Sequence, residues 1–445
     1  MFFLLTVGGL GCNRFRIHGA WLVCAVGACL FHGTAAAVGA VDLTPQELLG
    51  KRLFFDKNLS TPAGQSCASC HAPETGFTGP DSQTNWETGI YPGAAPGRFG
   101  NRKPPSAAYA AYSPRRKKGE DGEYTGGQFW DGRADTLVEQ AKGPFLNPLE
   151  MNNASSWEVV SKVQRSTYRN LFERVYGPHS LDVGPEDADS AFDLIARAIA
   201  AYESSREVNQ FSSKYDAFLE GRARLSEQEL RGLALFTSKA KCSNCHLHEP
   251  EDDGSFPLFT DFTYDNLGAP RNAHNPYYQA DRSVNPRGGT YRDLGLGGQL
   301  NEREHWGQVK VPTLRNVAKR PTADFVKSYF HNGTMKSLKD VVRFYNRRDR
   351  SPEEFPPAEV PDNMNTEELG DLKLTDSEED DVVAFLETLT DGYSTVDEPE
   401  PIGLNAPASA VINPAYRFRF AREASRVESF RLRWASGTSD DIFRR

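Results

Sequence analysis

The chain has 445 residues, 25% of them charged, and a formal net charge of −9 at pH 7. This length predicts two or three domains, and the acidic balance disfavours nucleic acid as a partner. Of the seven cysteines, three lie near the N-terminus and four form two short motifs, so no disulfide framework is expected.

Residues 1–40 have the pattern of an export signal peptide. Arg14 and Arg16 precede an apolar run over residues 20–31, and small residues follow it up to Ala40. The run is shorter than the roughly 20 residues that span a bilayer. A membrane anchor and a lipid-modified Cys29 stay open as alternatives. The sequence therefore predicts a periplasmic protein without a stable membrane span.

A helix-start pattern then occurs twice, at residues 43–50 and 225–232. Each copy has a capping box, in which Ser or Thr is followed three residues later by Glu, and then a glycine with an aromatic residue four positions beyond it. The residues are Thr44, Glu47, Gly50 and Phe54 in the first copy and Ser226, Glu229, Gly232 and Phe236 in the second. This internal repeat predicts two similar helical domains.

Each repeat is followed by a CxxCH motif, at residues 67–71 and 242–246, and this spacing attaches a c-type haem. The two thiols bond to the porphyrin vinyl groups, and the adjacent histidine reaches the iron. A zinc site would need closed four-coordination, and a redox dithiol would not need the histidine. The sequence therefore predicts two covalent haems, held by Cys67, Cys70 and His71 and by Cys242, Cys245 and His246.

Each half is expected to close with an amphipathic helix. The buried stripes would be Phe192, Ile195, Ile199 and Tyr202 in the first half and Val382, Phe385, Leu386 and Leu389 in the second. The second of these helices has its own capping box at Thr375 and Glu378.

We therefore predict an all-α protein with two cytochrome c-like haem domains and long loops. The domains would cover residues 41–215 and 216–395, with a boundary near residues 213–225. Residues 396–445 form an extension in which 416–420 and 430–434 alternate apolar and basic residues, as a short β-hairpin does. A basic docking surface is the alternative for this tail.

Over residues 43–393 the chain resembles the bacterial dihaem cytochrome c peroxidase/MauG family. Besides the two haem motifs, the resemblance rests on the runs 129–133 and 140–150 and on 311–317 followed by 329–333. It implies a peroxide-reactive haem in the first domain and an electron-transfer haem in the second. It also implies a calcium ion between them, for which Asn101 is the candidate ligand.

The resemblance also assigns roles around the first haem. Glu150 matches the catalytic glutamate, a general acid and base for peroxide cleavage, and Gln140 and Pro144 match its neighbours. Trp130 matches an indole between the haems that carries electrons. The alternatives are an ordinary helix-terminal acid for Glu150 and core packing for Trp130. No histidine lies between residues 71 and 179, so we expect an open iron.

The sixth ligand of the second haem separates the branches of the family. Ser337 would cap a helix in which Leu338, Val341, Val342 and Tyr345 share one face. Tyr345 stands where peroxidases of the family have methionine and where MauG-like members have tyrosine. Met335 is the rival ligand, and a Tyr345 that only packs is the alternative. An anionic oxygen favours ferric iron, whereas a thioether favours ferrous iron.

With Tyr345 as ligand, the resemblance favours the MauG branch, including MbnH-like enzymes. These use hydrogen peroxide to oxidise tryptophan on a partner protein, which in the MbnH-like case is a copper-binding protein. Two residues depart from the pattern: Asn332 replaces an aspartate, and Ala240 stands where MauG has a tryptophan. The alternatives are a peroxidase fed by a small cytochrome c or cupredoxin, and an electron carrier without enzymatic activity.

Overall fold

The computed structural model describes residues 42–394 and contains α-helices joined by long loops and short 3-10 turns. The helices are α1 (Pro45–Phe55), α2 (Ser82–Glu87), α3 (Leu137–Leu146), α4 (Ser156–Gln164), α5 (Arg169–Tyr176), α6 (Ala188–Glu203), α7 (Lys214–Leu219), α8 (Glu227–Phe236), α9 (Gly295–Leu300), α10 (Leu338–Arg347) and α11 (Asp376–Glu387). No helix in the described range has the length and apolar character needed to cross a membrane.

Strands are few and short, which confirms the all-α prediction. β1 (Lys117–Lys118) pairs antiparallel with β2 (Tyr124–Thr125), and β3 (Tyr264–Asp265) pairs antiparallel with β4 (Val309–Lys310). The predicted signal peptide at 1–40 and the predicted hairpin within 396–445 lie outside the described residues.

The predicted helix starts are present where the capping boxes are. Thr44, Ser226 and Thr375 each accept a hydrogen bond from the backbone N–H three residues on, and the glutamate at that position bonds back to the cap. The exchange satisfies amide groups that a helix N-terminus otherwise leaves unpaired. The local sequence therefore decides where α1, α8 and α11 begin.

The repeated glycine of each half lies where two helices cross. α1 packs against α6, and α8 packs against α11. A methyl group at Gly50 would lie 1.9 Å from the carbonyl oxygen of Ala198, and one at Gly232 would lie 1.9 Å from that of Asp381. Glycine is thus required at both positions because the partner backbone occupies the space of a side chain. The sequence repeat is a repeat of helix-crossing geometry.

Buried apolar residues form one large cluster in each half. The first extends from Leu49 to Val208 and includes the predicted stripe of α6. The second extends from Tyr215 to Leu389 and includes the predicted stripe of α11. The exact domain boundaries stay a prediction, although Tyr215 already packs in the second cluster.

Backbone contacts join loops of the first half to loops of the second. A Cβ atom added to Gly89 would lie only 2.9 Å from the Cα of Gly333. The two chain segments are therefore in direct contact. The N–H of Lys103 donates to the carbonyl of His331 at 2.8 Å, and the N–H of Lys310 donates to that of Trp130 at 2.9 Å. The segments that carry the family motifs are thereby brought together.

Candidate functional site

The first CxxCH motif forms a short 3-10 turn that presents its histidine for ligation. The N–H of His71 donates to the carbonyl of Cys67 at 2.9 Å, which closes the turn. Nδ1 of His71 lies 3.1 Å from the carbonyl oxygen of Phe77. A carbonyl can only accept, so Nδ1 carries the proton and Nε2 keeps its lone pair. Burial lowers the pKa of His71 to about 4, which keeps the ring neutral, as a metal ligand must be.

The second motif repeats this geometry. The N–H of His246 donates to the carbonyl of Cys242 at 2.9 Å, and Nδ1 lies 2.8 Å from the carbonyl oxygen of Phe259. Burial lowers the pKa of His246 as well. Orientation of a ligating imidazole by a backbone carbonyl is usual in metal sites. Both histidines therefore leave Nε2 available to an iron.

The four motif cysteines, Cys67, Cys70, Cys242 and Cys245, form no disulfide bonds, so each motif offers two sulfur atoms for thioether bonds. A cleft of about 340 Å³ opens beside Ser69 of the first motif. It is lined by Pro62, Ala63, Gly64, Gln65, Ser69, Tyr91, Pro92, Gly93 and Ala94. The paired cysteines with an oriented imidazole fit covalent haem at both motifs, and the first motif also has this cleft beside it.

Glu150 lies near the first motif, within electrostatic range of its cysteines. Burial and then the charge of Glu150 raise the pKa of the Cys70 thiol to about 12. Burial also raises the pKa of Glu150, against the opposing effects of Arg133 and Asn147. A carboxyl whose pKa is raised holds its proton more readily than an exposed glutamate does, which suits it to proton transfer.

Gln140 and Pro144 lie one turn apart on α3, so their side chains share a face of the helix. The chain folds back after α3, and the N–H of Met151 donates to the carbonyl of Pro144 at 3.1 Å. The N–H of Ala94, from the wall of the cleft, donates to the carbonyl of Glu150 at 2.7 Å. The structure thus joins Pro144 to the turn that carries Glu150, and it joins Glu150 to the wall of the cleft.

Trp130 is buried, 8% exposed, between segments of the two halves. Its Nε1–H donates to the carbonyl of Lys103 at 2.8 Å, and its ring centre lies 6.4 Å from that of His331 in an edge-to-face arrangement. The indole therefore contacts both the loop that follows the first motif and the loop that precedes α10. Its placement fits an electron bridge and also fits core packing.

Tyr345 lies on the side of α10 that faces the second motif. Ser337 caps α10 as predicted, and Tyr345 and Cys242 both pack against the second apolar cluster. Burial, followed by the charges of Cys242 and Cys245, raises the pKa of the Tyr345 phenol well above its ordinary value. Met335 belongs to a smaller cluster with Ala269, Phe330 and Phe344, against which Tyr345 also packs, but Met335 is not part of the second apolar cluster that contacts Cys242. This arrangement favours Tyr345 as the candidate ligand.

The two departures from the family pattern have simple structural roles. The amide of Asn332 donates from Nδ2 to the carbonyl of Pro270 at 2.7 Å, while its Oδ1 accepts from the Thr334 hydroxyl at 3.0 Å. Asparagine thus holds the loop before α10 through one donor and one acceptor, which an ionised aspartate could not do. Ala240 is buried in the second cluster, 3% exposed.

Asn101, the candidate calcium ligand that the resemblance implies, lies beside a buried ion-pair network. Its side-chain Nδ2 donates to the hydroxyl of Tyr291 at 3.1 Å. The next residue, Arg102, pairs with both Asp131 and Asp293, at 2.7 Å and 2.6 Å. Asp131 and Asp293 are therefore already neutralised by a guanidinium. Calcium stays an expectation of the resemblance alone.

Buried cations form the part of this region that the sequence did not indicate. Lys103 donates from Nζ to the Thr78 hydroxyl at 2.9 Å, and Lys327 donates to the carbonyls of Thr75 and Asn316 at 2.9 Å and 2.8 Å. Burial lowers the pKa of Lys103 to about 8 and the pKa of Lys327 further. A lysine in a polar loop is normally expected to be exposed, so no local signal marked these residues.

Glu203, at the C-terminal end of α6, is a second unpredicted group. It is 6% exposed, and its Oε2 has no hydrogen-bond partner within the described chain. Burial raises its pKa to about 8, and its charge adds to the rise in the pKa of Cys67. A second carboxyl therefore stands near the first motif, in its neutral form at neutral pH.

Comparisons with known proteins agree with this geometry. A family model for di-haem cytochrome c peroxidase matches residues 44–224. The methylamine utilization protein MauG of Paracoccus denitrificans is 36% identical over 357 residues, which cover 77% of this chain and 88% of MauG. The structure of the diheme peroxidase BthA from Burkholderia thailandensis has a TM-score of 0.68 and 35% identity, covering 79% of this chain and 88% of BthA.

A MauG-like protein associated with microbial copper homeostasis is also similar in structure, with a TM-score of 0.56 and 27% identity. That similarity covers 79% of this chain and 91% of the other. A 36% identity over three quarters of the chain, together with the two haem motifs, leaves no ambiguity about the family. The chain therefore belongs to the bacterial di-haem cytochrome c peroxidase/MauG family and is an oxidoreductase with two haems.

Proposed function

We propose that this protein uses hydrogen peroxide to oxidise tryptophan side chains on a partner protein in the periplasm. The single observation that carries the proposal is the position of Tyr345, which packs with Cys242 of the second motif against the second apolar cluster. The similarity to MauG and to the MauG-like protein associated with copper homeostasis supports a protein substrate, with a copper-binding protein as the favoured kind.

When bound, a haem held by Cys67, Cys70 and His71 would supply an iron that activates hydrogen peroxide. The chain supplies the proton transfers. A carboxylate oxygen of Glu150 takes the proton from the peroxide oxygen nearer the iron and returns it to the farther oxygen. Reduction of one peroxide to two waters consumes two protons and two electrons, and the partner's tryptophan supplies the electrons.

Trp130 is held rigidly for electron transfer between the halves. Its indole N–H is fixed by the Lys103 carbonyl, and its own carbonyl accepts from the N–H of Lys310 at 2.9 Å. The ring itself is buried, which keeps bulk water away from it. A ring held in this way needs little rearrangement when it loses or gains an electron.

Tyr345 would determine the preferred oxidation state at the second motif. Burial raises the pKa of its phenol, so the free side chain is neutral. Only a strong adjacent positive charge would keep it ionised, and ferric iron is such a charge. Ionised oxygen stabilises the ferric state and so makes the site a poor receiver of electrons from a small redox protein.

The alternative function is a peroxidase that reduces peroxide with electrons from a small cytochrome c or cupredoxin. The family description and the similarity to the diheme peroxidase BthA favour it. It shares the chemistry at Glu150 but needs a second haem that accepts electrons readily. The ligand at the second motif therefore separates the two functions.

The first experiment replaces Tyr345 by Phe and by Met in the holoprotein. Electron paramagnetic resonance and absorption spectra of the ferric protein are expected to change at the low-spin haem in both variants. The potential of that haem should rise in Tyr345→Met. The matched control is Tyr329→Phe, because Tyr329 packs against the same two clusters and its hydroxyl donates to the Val317 carbonyl. Unchanged low-spin spectra in Tyr345→Phe would remove the basis of the proposal.

The second experiment tests the role of Glu150. Glu150→Gln should slow the reaction with peroxide by about 100-fold or more, since general acid and base catalysis contributes about that much. Glu139→Gln is the control, because Glu139 lies in the first turn of α3 and bonds to the backbone at the start of that helix. Equal peroxide rates in the two variants would assign Glu150 to structure.

The third experiment looks for the product. The holoprotein and peroxide are incubated with a small exported copper-binding protein that contains tryptophan, and the partner is analysed by mass spectrometry. Oxygen addition at tryptophan that requires Glu150 supports the proposal. Rapid peroxide turnover with a reduced small cytochrome, without partner modification, supports the peroxidase instead.

A further inference from the structure

Away from both haem motifs, three side chains with metal-binding atoms converge in the second half of the chain. Glu302, Glu304 and His305 each direct one donor atom into a common space, with these atoms all within 4.8 Å of one another. Nε2 of His305 lies 3.5 Å from a carboxylate oxygen of Glu302 and 3.4 Å from one of Glu304. Because the residues lie within four positions of sequence, the local 3-10 turn holds them together.

The histidine is oriented as a metal ligand would be. Its side chain is 7% exposed, and Nε2 has no hydrogen-bond partner within the described residues. Nδ1 lies 2.8 Å from Oε1 of Gln308, which can only accept, so Nδ1 carries a proton and the neutral ring has its lone pair on Nε2. The ring of Tyr124 packs edge to face at 5.1 Å and fixes the imidazole plane. A buried lone pair is thereby aimed between two carboxylates.

The carboxylates are incompletely compensated by the protein. Oε2 of Glu302 is buried without a hydrogen-bond partner in the described chain. A cation does stand nearby, Lys118, whose Nζ lies 3.8 Å from Glu302 and 3.6 Å from Glu304, beyond good hydrogen-bond distance. Its side chain is 43% exposed, so it can move into solvent when another cation arrives.

We propose that Glu302, Glu304 and His305 bind a divalent transition-metal ion of the Zn²⁺ class. Bonds of about 2.1 Å to nitrogen and oxygen place the donors of a tetrahedral zinc site about 3.4 Å apart, which matches the 3.4 Å and 3.5 Å measured from Nε2. An imidazole with two carboxylates suits zinc, copper or nickel, whereas calcium and magnesium take oxygen ligands only. Water completes the coordination on the exposed side, next to Glu304. The site is independent of the peroxide chemistry.

The test is calorimetric titration of the chelator-treated holoprotein with zinc chloride. The wild type is expected to bind one ion, and Glu304→Gln and His305→Gln should each weaken binding by at least about 10-fold. Lys118→Met should strengthen binding, because it removes the competing ammonium. The control is His179→Gln, since His179 also pairs with a carboxylate, that of Asp182, but is 82% exposed.

The haem absorption spectrum reports whether each variant is folded. Glu304 is 68% exposed, so Glu304→Gln decides the matter even where the buried His305→Gln loses its structure. Absence of a single-ion event in the wild type would overturn the proposal. Unchanged zinc affinity in Glu304→Gln would do the same, and equally tight binding of calcium chloride would overturn the assignment to the Zn²⁺ class.

Discussion

The paired glycines at the helix crossings allow the two-fold repeat to be tested directly. Gly50→Ala and Gly232→Ala each place a methyl carbon 1.9 Å from a carbonyl oxygen, and 2.8 Å and 2.9 Å from the Cβ atoms of Tyr202 and Phe385. A carbon and a carbonyl oxygen normally approach to about 3.3 Å at closest. The helices of each crossing must therefore separate by about 1.4 Å, the difference between that limit and the 1.9 Å approach.

The size of the effect follows from what the methyl group meets. Overpacking typically costs about 1–3 kcal/mol and sometimes more. Here the obstacles are backbone oxygens and Cβ atoms, which cannot be moved by a rotamer change, so we expect a loss of about 3 kcal/mol for each variant. For domains of this size, that loss lowers Tm by roughly 6–12 °C.

The assay is thermal unfolding of the holoproteins, followed by circular dichroism and by haem absorption. Gly289→Ala is the control, because a Cβ at that position would have no atom within 4 Å and the backbone there is not left-handed, so its stability should change by less than about 1 kcal/mol. Gly50→Ala should perturb mainly the first haem, and Gly232→Ala the second. If both variants unfold like the control, the helix crossings do not constrain the two halves as described.

Three further predictions concern buried charges. Asp216→Ala removes the carboxylate that pairs with Arg315, and both side chains are 0% exposed. Urea denaturation should therefore show that the free energy of unfolding falls by about 3–5 kcal/mol, and a fall below about 1 kcal/mol would contradict this prediction. The pKa of Glu203 is about 8 in the folded protein, so the folded state keeps a proton that the unfolded state loses above pH 4.5. The free energy of unfolding should therefore fall by as much as ~5 kcal/mol as the pH rises from 4.5 to 8. Glu203→Gln should flatten that part of a profile of Tm against pH. Burial lowers the pKa of His331 to about 4, so the folded state resists the protonation that the unfolded state undergoes below pH 6.5. The free energy of unfolding should therefore fall by about 3 kcal/mol as the pH drops from 6.5 to 4. A profile of Tm against pH for His331→Gln that is as steep as that of the wild type would refute this prediction.

Short-range patterns were sufficient for most elements of the fold. The capping boxes at Thr44, Ser226 and Thr375 predicted three helix starts, because a cap and its reciprocal acid interact within four residues. The buried stripes of α6 and α11 followed from helical periodicity. The all-α class was predicted correctly because these signals are local and repeat in both halves.

The two haem motifs and the candidate ligands could also be predicted from the chain, because thiol spacing and motif register are properties of sequence. What the tertiary structure decided is which of these groups meet. It brought Glu150 near the first motif and placed Tyr345, but not Met335, in the apolar cluster that also contacts Cys242. It also placed Lys103 in the interior, where its ammonium group bonds to the Thr78 hydroxyl. Such burial depends on loops from both halves, and a linear sequence does not state which loops will be neighbours.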